Sequence, residues 1–318
     1  MTTVRSVYNL ESTSGDVGVE FELEGNNLPV LSNSYWRTEH DSSLRNGLEY
    51  VLRRPVSISS LEDIVSAFDS HLSDATLTPS VRCGTHVHVN VQNLSLQEVA
   101  TFITAFYLLE TVMVKYCGES REGNLFCLRN QDSEAGLDYV ISRFKQRQPV
   151  FDDEVRYSAL NLKPLCSYGS LEFRSYGCYT NTQNFLTWAR ACVNLRDNSI
   201  GYGTPQKLVK AFKSMSHKKF LETMLGEEAP LFKYKGYTKD IKRDKRYAFK
   251  FAYSQDWRKV GSSPKPRRFG KTMLRSSAPR WEYSQESINR ARAAYRNIYI
   301  DSVSAVLTDE EGQIINDY

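Results

Sequence analysis

The chain has 318 residues, of which 41% are hydrophobic and 25% are charged. This composition is typical of a globular protein and excludes a disordered or fibrous chain. The net charge of +4 is unevenly spread. Residues 1–204 carry 17 basic and 24 acidic side chains, and residues 205–297 carry 24 basic and 8 acidic side chains. Residues 298–318 carry five acidic side chains and no basic ones. The length suits two domains or one large α+β domain.

Alternation of apolar and polar residues predicts the secondary structure in chain order. The predicted elements are strands at 17–23 and 47–52, a helix at 60–72, a strand at 85–91, a long apolar helix at 96–117, strands at 157–162 and 170–176, and a helix at 181–195. Consecutive strands with one apolar and one polar face favour an antiparallel sheet with helices packed on one side, an α+β fold, over a doubly wound parallel sheet.

Two carboxylates share the polar face of the first predicted strand. Side chains at positions i and i+2 of a strand stand about 6.5–7 Å apart on one face, which places Glu20 next to Glu22. Their repulsion is relieved if water or a cation lies between them, and Mg²⁺ prefers carboxylate oxygens. Taken alone, the pair is more typical of a solvent-facing acidic strand.

Two of the five histidines, His86 and His88, repeat this spacing on a later strand. An H-x-H pair occurs in zinc and iron hydrolases as well as in magnesium enzymes, so it does not identify a metal. Two hydrogen-bonded structural histidines would give the same pattern.

A third polar pair, Glu172 and Arg174, shares a face of the strand at 170–176. It could be a simple ion pair, or a metal-holding carboxylate beside a phosphate-holding arginine, because the planar guanidinium matches phosphate oxygens. Glu49 lies in the otherwise apolar strand at 47–52, and Asp41 precedes it in a predicted turn. Together these strands predict one concave polar face able to hold two or more Mg²⁺ ions and a triphosphate.

Six ordered motifs resemble a known family over residues 17–200. They are G-V-E-F-E-L-E (18–24), D-S-S-L (41–44), G-L-E-Y-V (47–51), C-G-T-H-V-H-V-N (83–90), R-Y-x-x-L-N-L (156–162) and L-E-F-R (171–174). This set is similar to the amidoligase family of carboxylate–amine ligases, which occurs in bacteria and phages and is related to glutamine synthetase and glutamate–cysteine ligase. Two segments depart from the family pattern, 53–56 and 178–181, and both departures concern acceptor-side contacts.

The resemblance implies ATP-dependent amide-bond formation on an antiparallel, saddle-like sheet. By the family pattern, the metal ligands are Glu20, Glu22, Glu49, His86 and Glu172. Arg174 contacts the transferred phosphate, and Asp41 resembles the acid that helps to bind the incoming amine. The residues implied near the nucleotide or substrate are His88, Asn90, Arg156 and Asn161. The implied cofactors are ATP and two or more Mg²⁺ ions, and the implied substrates are a carboxylate and an amine, each a small molecule, a peptide or a macromolecule.

The last third of the chain lies outside this resemblance. We expect residues 1–204 to form the catalytic core and residues 205–318 to pack on it as a basic, aromatic-rich region that ends with a helix at 284–306. Residues 205–297 interleave 24 basic with 14 aromatic side chains. This pattern suits a polyanion or nucleic acid, although a solvated surface with aromatic residues packed beneath it explains it better.

Three functions therefore stay open at the level of sequence. A carboxylate–amine ligase is favoured, a metal-dependent hydrolase built on the H-x-H pair is the second, and a non-catalytic nucleic-acid-binding or phage protein with a ligase-derived fold is the third. The sequence has no apolar run of 18 residues and no apolar stretch at its N-terminus, and its six cysteines form no C-x-x-C pair. We therefore expect no membrane association, reduced thiols and a cytoplasmic location in a bacterial or phage-infected cell.

Overall fold

A central antiparallel sheet organises the computed structural model, which describes residues 2–132, 134–146, 150 and 157–260. In this part of the chain the sheet has seven strands, arranged in the order β2-β3-β1-β5-β7-β6, with β4 paired to β1. The strands are β1 (Val17–Asn26), β2 (Trp36–Glu39), β3 (Gly47–Leu52), β4 (Thr76–Leu77), β5 (Thr85–Asn90), β6 (Leu160–Asn161) and β7 (Ser170–Tyr176). All strand pairs run antiparallel.

The two faces of the sheet differ because apolar and polar residues alternate along its central strands. Phe21 on β1, Val87 on β5 and Phe173 on β7 are completely buried. Phe21 lies with its ring centroid 5.0 Å from that of Phe68, and Phe173 lies 5.8 Å from Phe102. These contacts direct one face of the sheet into the hydrophobic core and leave the other face for polar side chains.

The core face is covered by helices. The helices described within the first 200 residues are α1 (Val4–Tyr8), α2 (Leu61–His71), α3 (Leu96–Tyr116), α4 (Glu134–Gln146) and α5 (Thr182–Ile200). Of these, α2, α3 and α5 pack against the sheet. A capping box formed by Ser95 and Glu98 begins α3, satisfying backbone donors that would otherwise lack partners. Among the described helices, α3 alone is long and apolar enough to cross a membrane, but 89% of its apolar window is buried within the fold, as in an ordinary core helix.

Within the described residues, four further helices follow residue 204, and three of them contact α3. They are α6 (Pro205–Lys213), α7 (His217–Leu225), α8 (Thr238–Ala252) and α9 (Trp257–Val260). The ring of Tyr107 on α3 meets Tyr247 and Phe251 on α8 edge-on, with centroids 4.8 and 5.5 Å apart. The side of α3 remote from the sheet is thereby shielded from water. The domain division at residue 204 stays a prediction, and the helix predicted at 284–306 lies outside the described residues.

The predicted α+β class and the antiparallel sheet are confirmed. The strands at 47–52 and 170–176 begin and end where expected. The strand predicted at 157–162 is shorter, Leu160–Asn161, because the chain around it also forms a bridge between Leu128 and Ser158 and a 3₁₀ turn at Lys163–Leu165. The sequence analysis missed β2 and β4, which are short and carry little alternation.

Candidate functional site

Strand register brings the predicted polar residues together on the face of the sheet opposite the hydrophobic core. Glu20 on β1 is paired with His86 on β5, and Glu22 with Glu49 on β3. His88 is paired with Glu172 on β7. Directly paired side chains on one face lie about 4.5–5.5 Å apart at Cβ. We call the resulting group the polar cluster, which consists of Glu20, Glu22, Glu49, His86, His88, Glu172 and Arg174.

His86 lies among three carboxylates of this cluster. Its Nδ1 is 3.0 Å from Oε2 of Glu20 and 3.4 Å from Oε1 of Glu172, and its Nε2 is 3.5 Å from Oε1 of Glu22. The His86 side chain is only 4% exposed. Since β1, β5 and β7 are adjacent strands, the sheet itself fixes this convergence.

Glu172 is held between an arginine and an amide. Arg174 Nη1 donates to Oε1 of Glu172, and Arg174 Nε donates to the Phe126 carbonyl at 3.3 Å. Asn161 Nδ2 on β6 donates to Oε2 of Glu172 at 2.6 Å. On the neighbouring strand, His88 Nε2 lies 3.2 Å from Oε1 of Glu20, and its Nδ1 lies 3.3 Å from the Ser170 hydroxyl. The late acid–guanidinium pair and the early acidic pair therefore share one site.

Two groups within the cluster have the composition of a cation site. Glu20, His88 and Glu172 form one, and Glu20, Glu49 and His86 form the other, with the potential ligand atoms of each group within 4.8 Å of one another. Carboxylate-rich sets with one imidazole suit Mg²⁺ or Mn²⁺. Because Glu20 belongs to both groups, the geometry fits two neighbouring ions that share one carboxylate.

Electrostatics keep two of the carboxylates ionised despite their burial. Burial alone would raise the pKa of Glu20, but the charges and hydrogen bonds of His88 and His86 hold it well below its ordinary value. For Glu172, burial is likewise outweighed by the charges of Arg174, His88 and His86, which lower its pKa. Both groups are therefore anionic at neutral pH, as cation ligands must be.

Residues 51–196 match a family model. Its description is "Putative amidoligase enzyme". The match confirms the family resemblance for that segment, which contains the cluster members on β5 and β7. Glu20, Glu22, Glu49 and Asp41 precede the matched segment, and β1 and β3 bring the three glutamates to it in space. A comparison with curated proteins found no match.

Two other members of the polar cluster, Glu49 and His88, carry a proton that a bound cation would displace. Burial, followed by the charges of Glu20, Glu22, Asp41 and Glu39, raises the pKa of Glu49 from 4.5 to about 8. For His88, burial acts to lower the pKa, but the charge and hydrogen bond of Glu20 and the charge of Glu172 raise it to about 9. Both groups are protonated at pH 7, when no cation is bound.

Cation affinity should consequently rise with pH. We expect Mn²⁺, a spectroscopic substitute for Mg²⁺, to bind more tightly at pH 8.5 than at pH 6.5, by up to about tenfold per pH unit for each proton released. Glu49→Gln should reduce this slope. The stability of the cation-free protein should depend on pH in the opposite direction to cation affinity. The contribution of Glu49 to the free energy of unfolding is fully present below pH 4.5 and is lost as the pH rises through about 8. Isothermal titration at the two pH values measures the effect, and equal affinities would contradict it.

A buried arginine that the sequence analysis missed supports the strands that carry the polar cluster. Arg121, in a 3₁₀ turn after α3, is 2% exposed. Its guanidinium donates to the carbonyls of Cys83, Arg174 and Ser175 at 3.2, 2.9 and 3.0 Å. It thereby ties the start of β5 to the end of β7. No local pattern identifies it, since a lone arginine in a turn usually faces water.

Gly84 leaves space that the cluster needs. A Cβ atom at this position would lie 2.7 Å from Oε2 of Glu22 and 3.1 Å from Nε2 of His86. We expect Gly84→Ala to displace these ligands and to weaken Mn²⁺ binding by about tenfold or more, comparable to the loss of a group that orients metal ligands. Gly201→Ala is the control, because nothing lies within 4 Å of a Cβ there. Mn²⁺ titration of both variants is the measurement, and unchanged affinity in Gly84→Ala would refute the assigned role.

Three predicted site residues, Asp41, Asn90 and Arg156, are not members of the polar cluster. Asp41 lies in a turn, where its Oδ1 accepts a hydrogen bond from the Ser43 backbone N–H at 2.7 Å. Its charge contributes to the raised pKa of Glu49. Asn90 is engaged by its neighbours: its amide donates to the Gly15 carbonyl and its oxygen accepts from the Gln92 backbone. Arg156 lies outside the described residues. The roles of these three residues stay predictions.

The described part of the basic region, residues 205–260, carries 15 basic and 6 acidic side chains. Its large aromatic residues mostly face inward, since Phe212, Tyr247, Phe251 and Trp257 are buried. Lys213 and Lys245 lie over the rings of Phe249 and Phe212 at 4.7 and 5.1 Å. Any polyanion bound here would meet exposed lysines, among them Lys207, Lys210, Lys239 and Lys242, more than stacking surfaces.

Proposed function

We propose that this protein is an ATP- and Mg²⁺-dependent carboxylate–amine ligase that forms an amide bond through an acyl phosphate. The observation that supports this most is the convergence of four carboxylates, two histidines and one arginine on a single sheet face. The family match supports ligase chemistry in general. We further propose that the sheet is the counterpart of the saddle-like sheet of glutamine synthetase and glutamate–cysteine ligase.

The chemistry requires activation of a poor electrophile. A carboxylate does not react with an amine at neutral pH, so transfer of the γ-phosphoryl group of ATP to the carboxylate provides a leaving group. In this proposal Mg²⁺ would be held by Glu20, Glu22, Glu49, His86 and Glu172, and it would neutralise charge on the phosphates. His88, Asn90, Arg156 and Asn161 are proposed near the nucleotide or substrate, and Asn161 also orients Glu172.

Arg174 is proposed to stabilise the transferred phosphoryl group. It is always charged, and its neighbour Glu172 raises its pKa further, against the effect of burial. Its Nε bond to the Phe126 carbonyl fixes the plane of the guanidinium beside His86. A donor held in place before the reaction costs no reorganisation as charge develops. Asp41 would orient the ammonium group of the second substrate and accept its proton.

The proposed partners follow from this reaction. The substrates are one carboxylate and one amine, each a small molecule, a peptide or a macromolecule. The exposed lysines of α6 and α8 allow a polyanionic substrate or nucleic acid as a separate proposal. A cytoplasmic location is proposed with them, since the reaction consumes ATP.

A screen for ADP release tests the proposed function. Purified full-length protein is incubated with Mg²⁺-ATP and pooled carboxylates and amines, and products are identified by mass spectrometry. The ligase proposal expects ADP, phosphate and a joined product that lacks one water relative to its two substrates. Hydrolysis of a substrate without nucleotide would favour the metal-dependent hydrolase. Salt-sensitive nucleic-acid binding that persists in Glu172→Gln, without nucleotide affinity, would favour the non-catalytic alternative.

A further inference from the structure

Two cysteines lie side by side at one end of the sheet, outside the polar cluster. The antiparallel pairing of β5 with β7 includes the partners Thr85 and Tyr176. Continuing two residues outward along each chain reaches Cys83 and Cys178. The guanidinium of Arg121 spans the same end of the sheet, because it donates to the carbonyls of Cys83 and Ser175. The two segments are thus held together independently of the thiols.

A cavity of about 450 Å³ opens beside this pair. Its walls include Cys83, Cys178 and a third thiol, Cys117, together with Tyr116, Tyr176 and Asn184. Cys83 is buried, whereas Cys178 is partly exposed. The cavity therefore offers a small polar reagent a route to a thiol that is covered from bulk solvent.

The three thiols differ in their surroundings. A hydrogen bond with Cys178 is the main influence that lowers the pKa of Cys83 to about 7, and the Ser80 hydroxyl lies 3.6 Å from its sulfur. Burial instead raises the pKa of Cys117 well above its ordinary value. Since the thiolate is the reactive form, Cys83 is the expected nucleophile. Cys178 is the adjacent thiol that can react with an oxidised Cys83 to form a disulfide.

We propose that Cys83 and Cys178 form a dithiol modification site that a peroxide converts to an intramolecular disulfide. The Cys83 thiolate attacks one oxygen of hydrogen peroxide and the O–O bond breaks. Hydroxide departs as the leaving group, and Cys83 becomes a sulfenic acid. The sulfur of Cys178 then attacks the Cys83 sulfur, the S–O bond breaks and water leaves. Two thiols are oxidised by two electrons, and one peroxide is reduced to two waters.

The disulfide would join the strand ends that precede His86 and follow Arg174. It would close a loop of the chain from residue 83 to residue 178 and restrict the unfolded state. The oxidised protein is therefore expected to have a higher Tm than the reduced protein. This inference does not depend on the proposed function, because its readouts are a covalent bond and a melting temperature.

Peptide mapping of the native full-length protein after graded hydrogen peroxide tests the proposal. We expect a mass loss of about 2 Da, a single Cys83–Cys178 link and reversal by dithiothreitol. Cys117→Ser, which removes the other cavity thiol, should form the same link. In Cys178→Ser, dimedone should trap a sulfenic acid on Cys83. A link through Cys117, or free Cys83 and Cys178 at peroxide doses that already oxidise methionines, would overturn the proposal.

Discussion

Glu20→Gln is expected to weaken Mn²⁺ binding by at least about 30-fold and to remove Mg²⁺-dependent ATP binding. Glu20 belongs to both candidate cation groups and contacts both histidines. Two unit charges 4 Å apart interact by about 4 kcal/mol at an effective dielectric constant of about 20. Even half of that value, about 2 kcal/mol, corresponds to this loss in affinity. Isothermal titration with Mn²⁺, and then with ATP in the presence of Mg²⁺, measures both effects.

The matched control is Glu24→Gln on the same strand. Glu24 is buried, and its Oε1 accepts from the Arg45 backbone at 2.9 Å, a bond that a glutamine oxygen can keep. It belongs to neither candidate cation group among the described residues. We expect the Mn²⁺ affinity of Glu24→Gln to stay within about threefold of that of the wild type, a difference in binding free energy of under about 1 kcal/mol. Equal losses in the two variants would mean that strand packing, not cation binding, is affected.

Arg174→Lys is expected to slow ATP turnover by at least about 100-fold while the fold is retained. Lysine keeps the charge beside Glu172 but lacks the planar fork that matches phosphate oxygens. Arginines that stabilise a transferred phosphoryl group contribute about 10³–10⁵ in rate in other phosphoryl-transfer enzymes. The rate of ADP formation, measured beside ATP affinity, distinguishes a loss in the reaction from a loss in binding.

Lysine is a better probe here than alanine. Arg174→Ala would leave the buried Glu172 carboxylate without its guanidinium, and removal of one partner of a buried pair costs about 3–5 kcal/mol. Arg190→Lys is the surface control, since Arg190 is paired with Glu62 at 2.8 Å near solvent. Unchanged turnover in Arg174→Lys would remove the residue from the proposed mechanism.

The sequence predicts the polar cluster well because strands impose a period of two. Once Glu20 and Glu22, or His86 and His88, are placed on strands, their shared face follows from the backbone alone. The neighbours across the sheet also follow once the strands are antiparallel, although the exact partners depend on register. The pairing of Glu22 with Glu49 and of His88 with Glu172 required the coordinates.

Long-range packing explains what the sequence did not predict. Arg121 supports the cluster from a turn, and its partners are backbone carbonyls more than 35 residues away in the chain. The short strand Trp36–Glu39 has too few residues for alternation to be recognised. It is stabilised by antiparallel pairing with β3. The contact of Gly84 with Glu22 and His86 depends on the path of the chain before β5, which no local pattern specifies.

Equilibrium binding of a non-hydrolysable ATP analogue, measured with Mg²⁺ and with EDTA, tests the central claim most directly. If the polar cluster is a cation-dependent triphosphate site, the wild type binds the analogue with Mg²⁺ and loses at least about 30-fold in affinity with EDTA. Binding that is equally tight without a divalent cation, or absent in both conditions, would contradict the account.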